Sequence, residues 1–136
     1  MNGEKDLARL LQTMQPEHNA GEFVFCLLPG KTKIDWKDII LSFKEKEGLT
    51  IVLEKQLADA LHLEYSVVMS WITLTVHSSL EAVGLTAAFS KALAENGISC
   101  NVVAAFYHDH IFVAKKDTEK AMETLRQLST VRPSAG

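Results

Sequence analysis

Apolar residues repeat with helical spacing in four segments of the chain. Residues three, four, seven and eight positions apart lie on one side of a helix, so each segment predicts an amphipathic helix. Pro16 ends the first stripe, Gly97 follows the third as a left-handed C-cap, and Asp117 precedes the fourth as an N-cap. The four stripes are Leu7–Met14, Leu57–Leu61, Leu85–Leu93 and Ala121–Leu128.

Shorter apolar runs between these stripes have the length and alternation of β-strands. Glu22–Leu28 is nearly continuous in apolar residues and is closed by a Pro-Gly turn pair. In Trp71–His77 apolar and polar side chains alternate, as they do on a strand with one buried face. Asn101–Phe106 and Ile111–Ala114 predict two further strands, separated by a short polar segment.

The segment between residues 34 and 53 fits two interpretations. Its apolar residues from Trp36 to Phe43 have helical spacing behind Asp35 as a cap. The runs "ILSF" and "LTIVL" around "KEKEG" also resemble two strands and a turn. Comparison with the second half of the chain favours two strands and a turn, because "ILSFKEKEGLTIVLEKQLADAL" can be aligned with "VAAFYHDHIFVAKKDTEKAMETL". We therefore expect one or two helical turns to about Ile39, then a hairpin, so that each half reads strand, helix, strand pair, helix.

The histidine pair in "AFYHDHIFV" raises the question of a metal site. Two imidazoles in an H-x-H pattern lie on one face of a strand, as two ligands of one ion require. A zinc or iron site needs a third and usually a fourth ligand, and none is visible in the sequence. We therefore predict no metal or cofactor, and a hairpin between Asn101–Tyr107 and His110–Ala114 with His108 and Asp109 at its tip.

Composition and charge narrow the class of protein. The chain has 136 residues, of which 47% are apolar and 23% are charged, so it can bury a core. A net charge of −3 gives no electrostatic reason to bind nucleic acid or an anionic membrane. The apolar runs are too short to span a bilayer and "MNGEKD" is not a leader, so we expect a cytoplasmic protein. Cys26 and Cys100 lie in separate apolar runs and are expected to be buried free thiols.

Two motifs resemble catalytic signatures but lack essential parts. "LLPGKTK" ends like a phosphate-binding loop, yet Phe25 stands where that loop needs a glycine five residues before Gly30. Ser79, His77 and Asp109 do not form a convincing hydrolase set, because no G-x-S-x-G turn surrounds the serine. The sequence therefore predicts that the protein is not an enzyme.

One stretch resembles a known family. "WITLTVHSSLEAVGLTAAFSKALAENGISCNVVAAFYHDHIFV", Trp71 to Val113, is similar to small bacterial proteins built from two ACT-type halves. It has the strand, the glycine-containing loop Val76–Gly84, the helix to Asn96 and the G-I-x-x-N turn Gly97–Asn101. Gly21–Leu63 resembles the family more loosely.

The resemblance implies an α+β, ferredoxin-like fold. It consists of two ACT-type βαββαβ halves with antiparallel sheets and helices packed on one face. Residues 1–66 would hold the N-terminal helix and the first half, residues 67–130 the second half, and residues 131–136 a flexible tail. The second half is too short for its last strand, which suggests that Glu22–Leu28 completes its sheet. Exposed sheet edges favour association as a homodimer.

The family also implies a function. ACT domains are non-enzymatic regulatory modules that bind amino acids or similar small metabolites, and the alternative is a ligand-free oligomerisation or protein-docking module. A strand-to-helix loop offers unpaired N–H groups to a carboxylate, and a glycine permits close approach. The competing interpretation is that Ser78 and Glu81 form a capping box at which a helix starts. The candidate ligand-binding residues are His77, Ser78, Ser79, Leu80, Glu81, Ala82, Val83, Gly84, Asn101 and Val102.

Overall fold

The computed structural model describes residues 3–75 and 84–130. Its helices are α1 (Gly3–Thr13), α2 (Lys55–Ala60), α3 (Leu85–Glu95) and α4 (Thr118–Leu128). Its strands are β1 (Gln15–Leu28), β2 (Leu41–Lys44), β3 (Leu49–Glu54), β4 (Met69–Thr75), β5 (Cys100–Ala104) and β6 (Asp109–Ala114). None of the helices in the described ranges is long and apolar enough to cross a bilayer.

The chain divides into two compact units. The larger unit consists of residues 1–19 together with residues 71–136, and the smaller unit consists of residues 20–70. Strand β1 begins in the larger unit and continues into the smaller one. The boundary between the two units therefore falls within β1, between Asn19 and Ala20.

In the larger unit, strands and helices enclose one apolar core. The strand order is β1, β4, β6, β5, and helices α1, α3 and α4 supply the rest of the core. Alternation along the strands directs every second side chain toward the helices. The buried core residues are Leu11, Met14, Ile72, Leu74, Leu85, Phe89, Leu93, Ile98, Ile111, Val113, Ala121, Met122 and Leu125.

Helix α1 packs in the larger unit. Leu11 and Met14 are buried among residues of β4, α3 and α4. The sequence had grouped this helix with the first half, residues 1–66. The packing places it with the second half instead, because its apolar stripe is buried by partners more than 50 residues away in sequence, which no local pattern reveals.

Strand β1 is longer than predicted, and this corrects the expected pairing. Near its start, Thr75 Oγ1 donates to the Gln15 carbonyl at 3.0 Å, and Asn19 Nδ2 donates to the Trp71 carbonyl at 3.3 Å. Phe23–Leu28 instead pairs antiparallel with β3 in the smaller unit. The expectation that Glu22–Leu28 completes the second half's sheet is therefore wrong, because the first part of the same strand lies beside β4.

The smaller unit contains the predicted hairpin. Strands β2 and β3 are antiparallel and closed by a four-residue turn, in which the Glu45 amide donates to the Gly48 carbonyl at 2.9 Å. A 3-10 turn, Trp36–Asp38, precedes them, and its Asp35 carboxylate accepts from the Lys37 amide at 3.1 Å. The expected helical turn before Ile39 and the expected hairpin after it are both confirmed. The buried core residues of this unit are Val24, Cys26, Ile51, Leu53, Ala58 and Leu63.

The hairpin around the histidines is also confirmed, with a shifted tip. Strands β5 and β6 pair antiparallel, and the Ala105 amide donates to the His108 carbonyl at 3.0 Å. The turn is therefore Ala105–His108, and Asp109 already belongs to β6. Phe106 and Tyr107 occupy the tip and are 92% and 79% exposed.

Both cysteines are free thiols, as the sequence predicts. Cys26 is buried in the core of the smaller unit, and Cys100 is half-buried on β5. Burial raises the pKa of both thiols, so neither is activated as a nucleophile.

Candidate ligand-binding site

The predicted binding loop lies mostly outside the described residues. This applies to His77, Ser78, Ser79, Leu80, Glu81, Ala82 and Val83. The structure does place Gly84, Asn101 and Val102, together with the strand that leads into the loop and the helix that follows it.

Gly84 is the N-cap of α3 and has a left-handed backbone, with φ of 96°. Its carbonyl accepts from the Ala88 amide at 2.8 Å, which begins the helical hydrogen bonding. A left-handed Gly84 interrupts right-handed helical geometry, so α3 begins at Leu85, and the predicted capping box of Ser78 and Glu81 lies outside the described residues. A β-carbon on Gly84 would lie 3.4 Å from Leu7 Cδ2. The position therefore favours glycine for its left-handed backbone conformation, while a β-carbon would only come into contact with the Leu7 side chain.

Asn101 and Val102 point to opposite faces of β5. Val102 packs against the helix-covered core of the larger unit. Asn101 is exposed, lies in register with Phe112 of β6, and projects from the other face. Of the two residues, only Asn101 directs its polar side chain away from the core.

A group of polar and aromatic side chains shares the face that carries Asn101. His110 Nδ1 lies 3.0 Å from Trp71 Nε1 and 3.0 Å from Thr73 Oγ1. Asn19 Nδ2 donates to Thr73 Oγ1 at 2.9 Å. We call these four residues, from β1, β4 and β6, the His110 cluster.

The donors in the His110 cluster fix the protonation of the imidazole. An indole N–H can only donate, so His110 Nδ1 must accept from Trp71. A neutral imidazole that accepts through Nδ1 carries its proton on Nε2. The cluster therefore holds His110 neutral, with Nε2–H as its remaining donor.

The environment of His110 also opposes its charge. Burial lowers the pKa of His110, the charge of nearby His108 lowers it further, and Asp109 partly opposes both effects. The hydrogen bond from Trp71 acts in the same direction as burial, because it uses the lone pair that a proton would take.

This arrangement does not suit a metal ion. A histidine that binds metal through Nε2 must carry its proton on Nδ1, where Trp71 already donates. The rings of His108 and His110 are 6.5 Å apart between centroids, which separates them too widely for two ligands of one tetrahedral ion. Within residues 3–75 and 84–130, no three histidine, cysteine or acidic residues are grouped as metal ligands.

Sequence reasoning found His110 but not its partners. Trp71 and Thr73 lie 39 and 37 residues away in the chain. The available signal was their shared face in the alternation of Trp71–His77, opposite the apolar Ile72 and Leu74. That alternation does not reveal which strand lies alongside.

The smaller unit contains an open groove of about 530 Å³. Its charged residues are partly paired, since Lys55 Nζ lies 2.8 Å from Asp59 Oδ2 and Tyr65 donates to Asp59 Oδ1 at 2.6 Å. Hydrogen bonds from Lys55 and Tyr65 lower the pKa of Asp59. These contacts fasten Tyr65 to helix α2. The residues that line the groove are Ala20, Gly21, Glu22, Glu54, Lys55, Gln56 and Asp59.

Comparison with known proteins places both halves in one family. Models of the ACT domain match residues 2–70 and residues 66–127. A search of curated proteins returns no match to the chain.

Solved structures show the same fold. A Vibrio cholerae protein of unknown function, described as a possible transport protein, is 50% identical, covers 95% of this chain and 100% of its own, and has a TM-score of 0.85. An Agrobacterium tumefaciens protein is 18% identical over 85% of this chain and 89% of its own, with a TM-score of 0.68. A putative C-terminal regulatory domain of aspartate kinase from Porphyromonas gingivalis is 14% identical over 88% of this chain and 99% of its own, with a TM-score of 0.58. The chain therefore belongs to the ACT-domain family, as a small protein with two ACT domains in tandem.

Proposed function

We propose that this protein is a non-enzymatic regulatory module that binds an amino acid or a similar small metabolite in the larger unit. The observation that carries the proposal is the start of helix α3. Gly84 has no side chain with which to cap the first N–H groups of the helix, and its left-handed backbone turns the chain sharply there. A carboxylate is the natural acceptor for such donors, because the helix dipole also favours negative charge at this end.

The ligand's carboxylate would bind the backbone of the connection from His77 to Gly84. The sequence "HSSLEAVG" contains no Lys or Arg, so in this proposal backbone N–H groups supply the anion recognition. The exposed Asn101 amide can both donate and accept, which suits the remaining polar group of an amino acid. Val102 would contribute through its backbone, since its side chain packs on the core.

The structural neighbours support a regulatory role. One is named as a putative regulatory domain of aspartate kinase, and another as the regulatory subunit of aspartate kinase from Thermus thermophilus, 9% identical with a TM-score of 0.60. At sequence identities this low, the similarity establishes a shared fold and no more. The transfer of a regulatory role to this chain is part of the proposal.

A thermal-shift screen against the common amino acids tests ligand binding. A ligand that binds only the native state must raise the melting temperature. Calorimetric titration of a hit should then show weaker binding to Asn101→Ala and unchanged binding to the control Ser99→Ala, which alters an exposed polar residue just before β5. Unchanged affinity in Asn101→Ala and in loop variants would place the site elsewhere.

Glu81→Gln separates the ligand site from the capping box. Glutamine can replace glutamate in a capping box but removes the charge that would repel a nearby carboxylate. Binding that is stronger or unchanged supports an anion at the loop. Weaker binding indicates that the glutamate contacts the ligand's cationic group instead.

A second candidate function is association without a ligand. Strand β5 is last in the strand order of the larger unit and carries no charged residue, and the adjoining tip exposes Phe106 and Tyr107. Lys44 lies on β2, the last strand of the smaller unit, and edge lysines discourage strand pairing. We propose that a homodimer forms through β5.

Light scattering at micromolar concentration tests the dimer. A dimer mass for the native chain and a monomer mass for Val103→Lys support pairing through β5. A monomer mass for the native chain contradicts it.

A further inference from the structure

We propose that the His110 cluster is a proton switch, in which uptake of a proton by His110 breaks its hydrogen bond with Trp71 and lets Nδ1 donate to Thr73 instead. This goes beyond the proposed binding site, and it requires no ligand.

The neutral state is the one that the structure shows. Trp71 Nε1–H donates to His110 Nδ1 at 3.0 Å, and the indole lies against Phe112 at 6.3 Å between ring centroids, with 21° between the planes. Proton uptake places a hydrogen on Nδ1. Two N–H donors would then face each other at 3.0 Å, so this hydrogen bond cannot survive protonation.

The cluster also contains an acceptor for the charged state. Thr73 Oγ1 lies 3.0 Å from the same Nδ1, and it accepts only one hydrogen bond among those described, from Asn19. A hydroxyl oxygen has two lone pairs, so it can accept from Asn19 and from a protonated Nδ1 together. His110 can therefore exchange Trp71 for Thr73 as its partner without moving its own ring, while the hydrogen bond between Trp71 and His110 is lost.

Among residues 3–75 and 84–130, the charged groups that act on His110 both lie on its own hairpin. On its own hairpin, His108 opposes protonation and Asp109 favours it. Strand β4 contributes only the uncharged Trp71 and Thr73, and β5 places Val103 opposite His110. Asn19 of β1, reached through Thr73, is also uncharged. The pH at which His110 takes up its proton is therefore determined mainly by burial and by the competition between Trp71 and Thr73 for Nδ1.

The switch acts on the face that carries Asn101. Phe112, against which Trp71 stacks, is in register with Asn101 across β5 and β6. Protonation of His110 therefore changes the hydrogen bonding of the side chains on this face. The surface that β4, β6 and β5 present thus depends on the protonation of one histidine.

NMR titration of the histidine rings in the full chain tests the switch. His110 is assigned by comparison with His110→Gln, and its Nδ1 is expected to be unprotonated at neutral pH. As the pH falls, the Trp71 Nε1–H resonance should move with the same midpoint as His110, below about 6.5, the usual histidine value. A protonated Nδ1 at neutral pH, or a Trp71 resonance that ignores the titration of His110, overturns the proposal.

Two substitutions should shift the midpoint in opposite directions. Trp71→Phe removes the donor that opposes protonation, so the His110 midpoint should rise. Thr73→Val removes the acceptor of the charged state, while Trp71 still serves the neutral state, so the midpoint should fall. Shifts of the same sign in both variants, or no shift in either, contradict the exchange of partners.

Matched controls separate the switch from general perturbation. Trp36→Phe changes the exposed tryptophan, which is 77% exposed, and should leave the His110 midpoint unchanged. His108→Gln should raise the midpoint by removing a like charge, while Trp71 and His110 still titrate together. If Trp71→Phe does not fold, Thr73→Val alone decides, since a fall supports the switch and a rise or no change overturns it.

Discussion

The two units connect their first strand to their hairpin in different ways. In the larger unit, helix α3 lies between β4 and β5 and buries Leu85, Phe89 and Leu93. In the smaller unit, the corresponding connection between β1 and β2 contains only the 3-10 turn Trp36–Asp38, which has no buried residue. A connection that includes a long helix provides both a core and a helix N-terminus. We therefore expect the ligand site to lie in the larger unit. We also expect substitutions between β4 and β5 to reduce stability more than substitutions between β1 and β2.

The largest expected effect comes from emptying the core beneath α3. Phe89 is fully buried, so Phe89→Ala should reduce the free energy of unfolding by about 3–5 kcal/mol through lost burial and a cavity. Trp36→Ala, in the equivalent connection of the smaller unit, should change it by no more than about 0.5 kcal/mol, as exposed substitutions usually do. Urea denaturation of both variants measures the difference. Equal losses would contradict the contrast between the two connections.

A smaller effect is expected at the start of α3. Gly84→Val forces a branched side chain into a left-handed backbone and toward Leu7, and should cost roughly 1–3 kcal/mol. Gly97 also has a left-handed backbone but has open space around it, so the control Gly97→Ala should cost roughly 1–2 kcal/mol, from the backbone alone. If Gly84→Val has normal stability and normal ligand response, the role assigned to Gly84 is wrong.

The stability of the two units should depend on different ranges of pH. In the larger unit, the group responsible is His110. Its folded-state pKa lies below the unfolded value of about 6.5, so the unfolded chain binds more protons there. The stability that neutral His110 contributes is therefore full above pH about 6.5 and is lost as the pH falls through the folded-state pKa. Denaturation of the native chain and of His110→Gln across this range should show the loss only in the native chain.

The smallest effect is expected from Asp59 in the smaller unit. Hydrogen bonds from Lys55 and Tyr65 lower the pKa of this carboxyl below its unfolded value of about 3.9. Its contribution is thus present above pH about 3.9 and is lost at more acid pH, outside the range in which His110 acts. Because Asp59 is exposed, Asp59→Asn should lower stability only slightly at neutral pH, and urea denaturation should show this difference from the native chain disappearing below pH about 3.9. A difference that persists unchanged in acid would contradict the assignment.

Local patterns predicted much of the fold. The stripes of α3 and α4 and the two hairpins follow from the spacing of apolar residues and from turn residues. The alignment of the halves was nevertheless offset. It paired Phe43 with Phe106, whereas the hairpin registers place the turn Glu45–Gly48 over Ala105–His108, three residues away. Phe43 lies in a strand and Phe106 in a turn, so their shared side chain misled the comparison.

Long-range contacts could not be predicted in the same way. The first part of β1, "QPEHNA", is polar and contains a proline, so nothing local predicts a strand, and pairing beside β4 determines its conformation. The contacts of Trp71 and Thr73 with His110 likewise depend on which strands are neighbours. The predicted site residues were chosen from family resemblance, and of these the described part of the chain places Gly84, Asn101 and Val102.

Hydrogen exchange with and without an amino acid identified by the thermal-shift screen tests the central claim most directly. We predict that added protection appears in peptides covering residues 77–90 and β5, while peptides from Ala20–Ser70 exchange at unchanged rates. Protection confined to Ala20–Ser70, with none at the start of α3, would contradict the assignment of ligand binding to the larger unit.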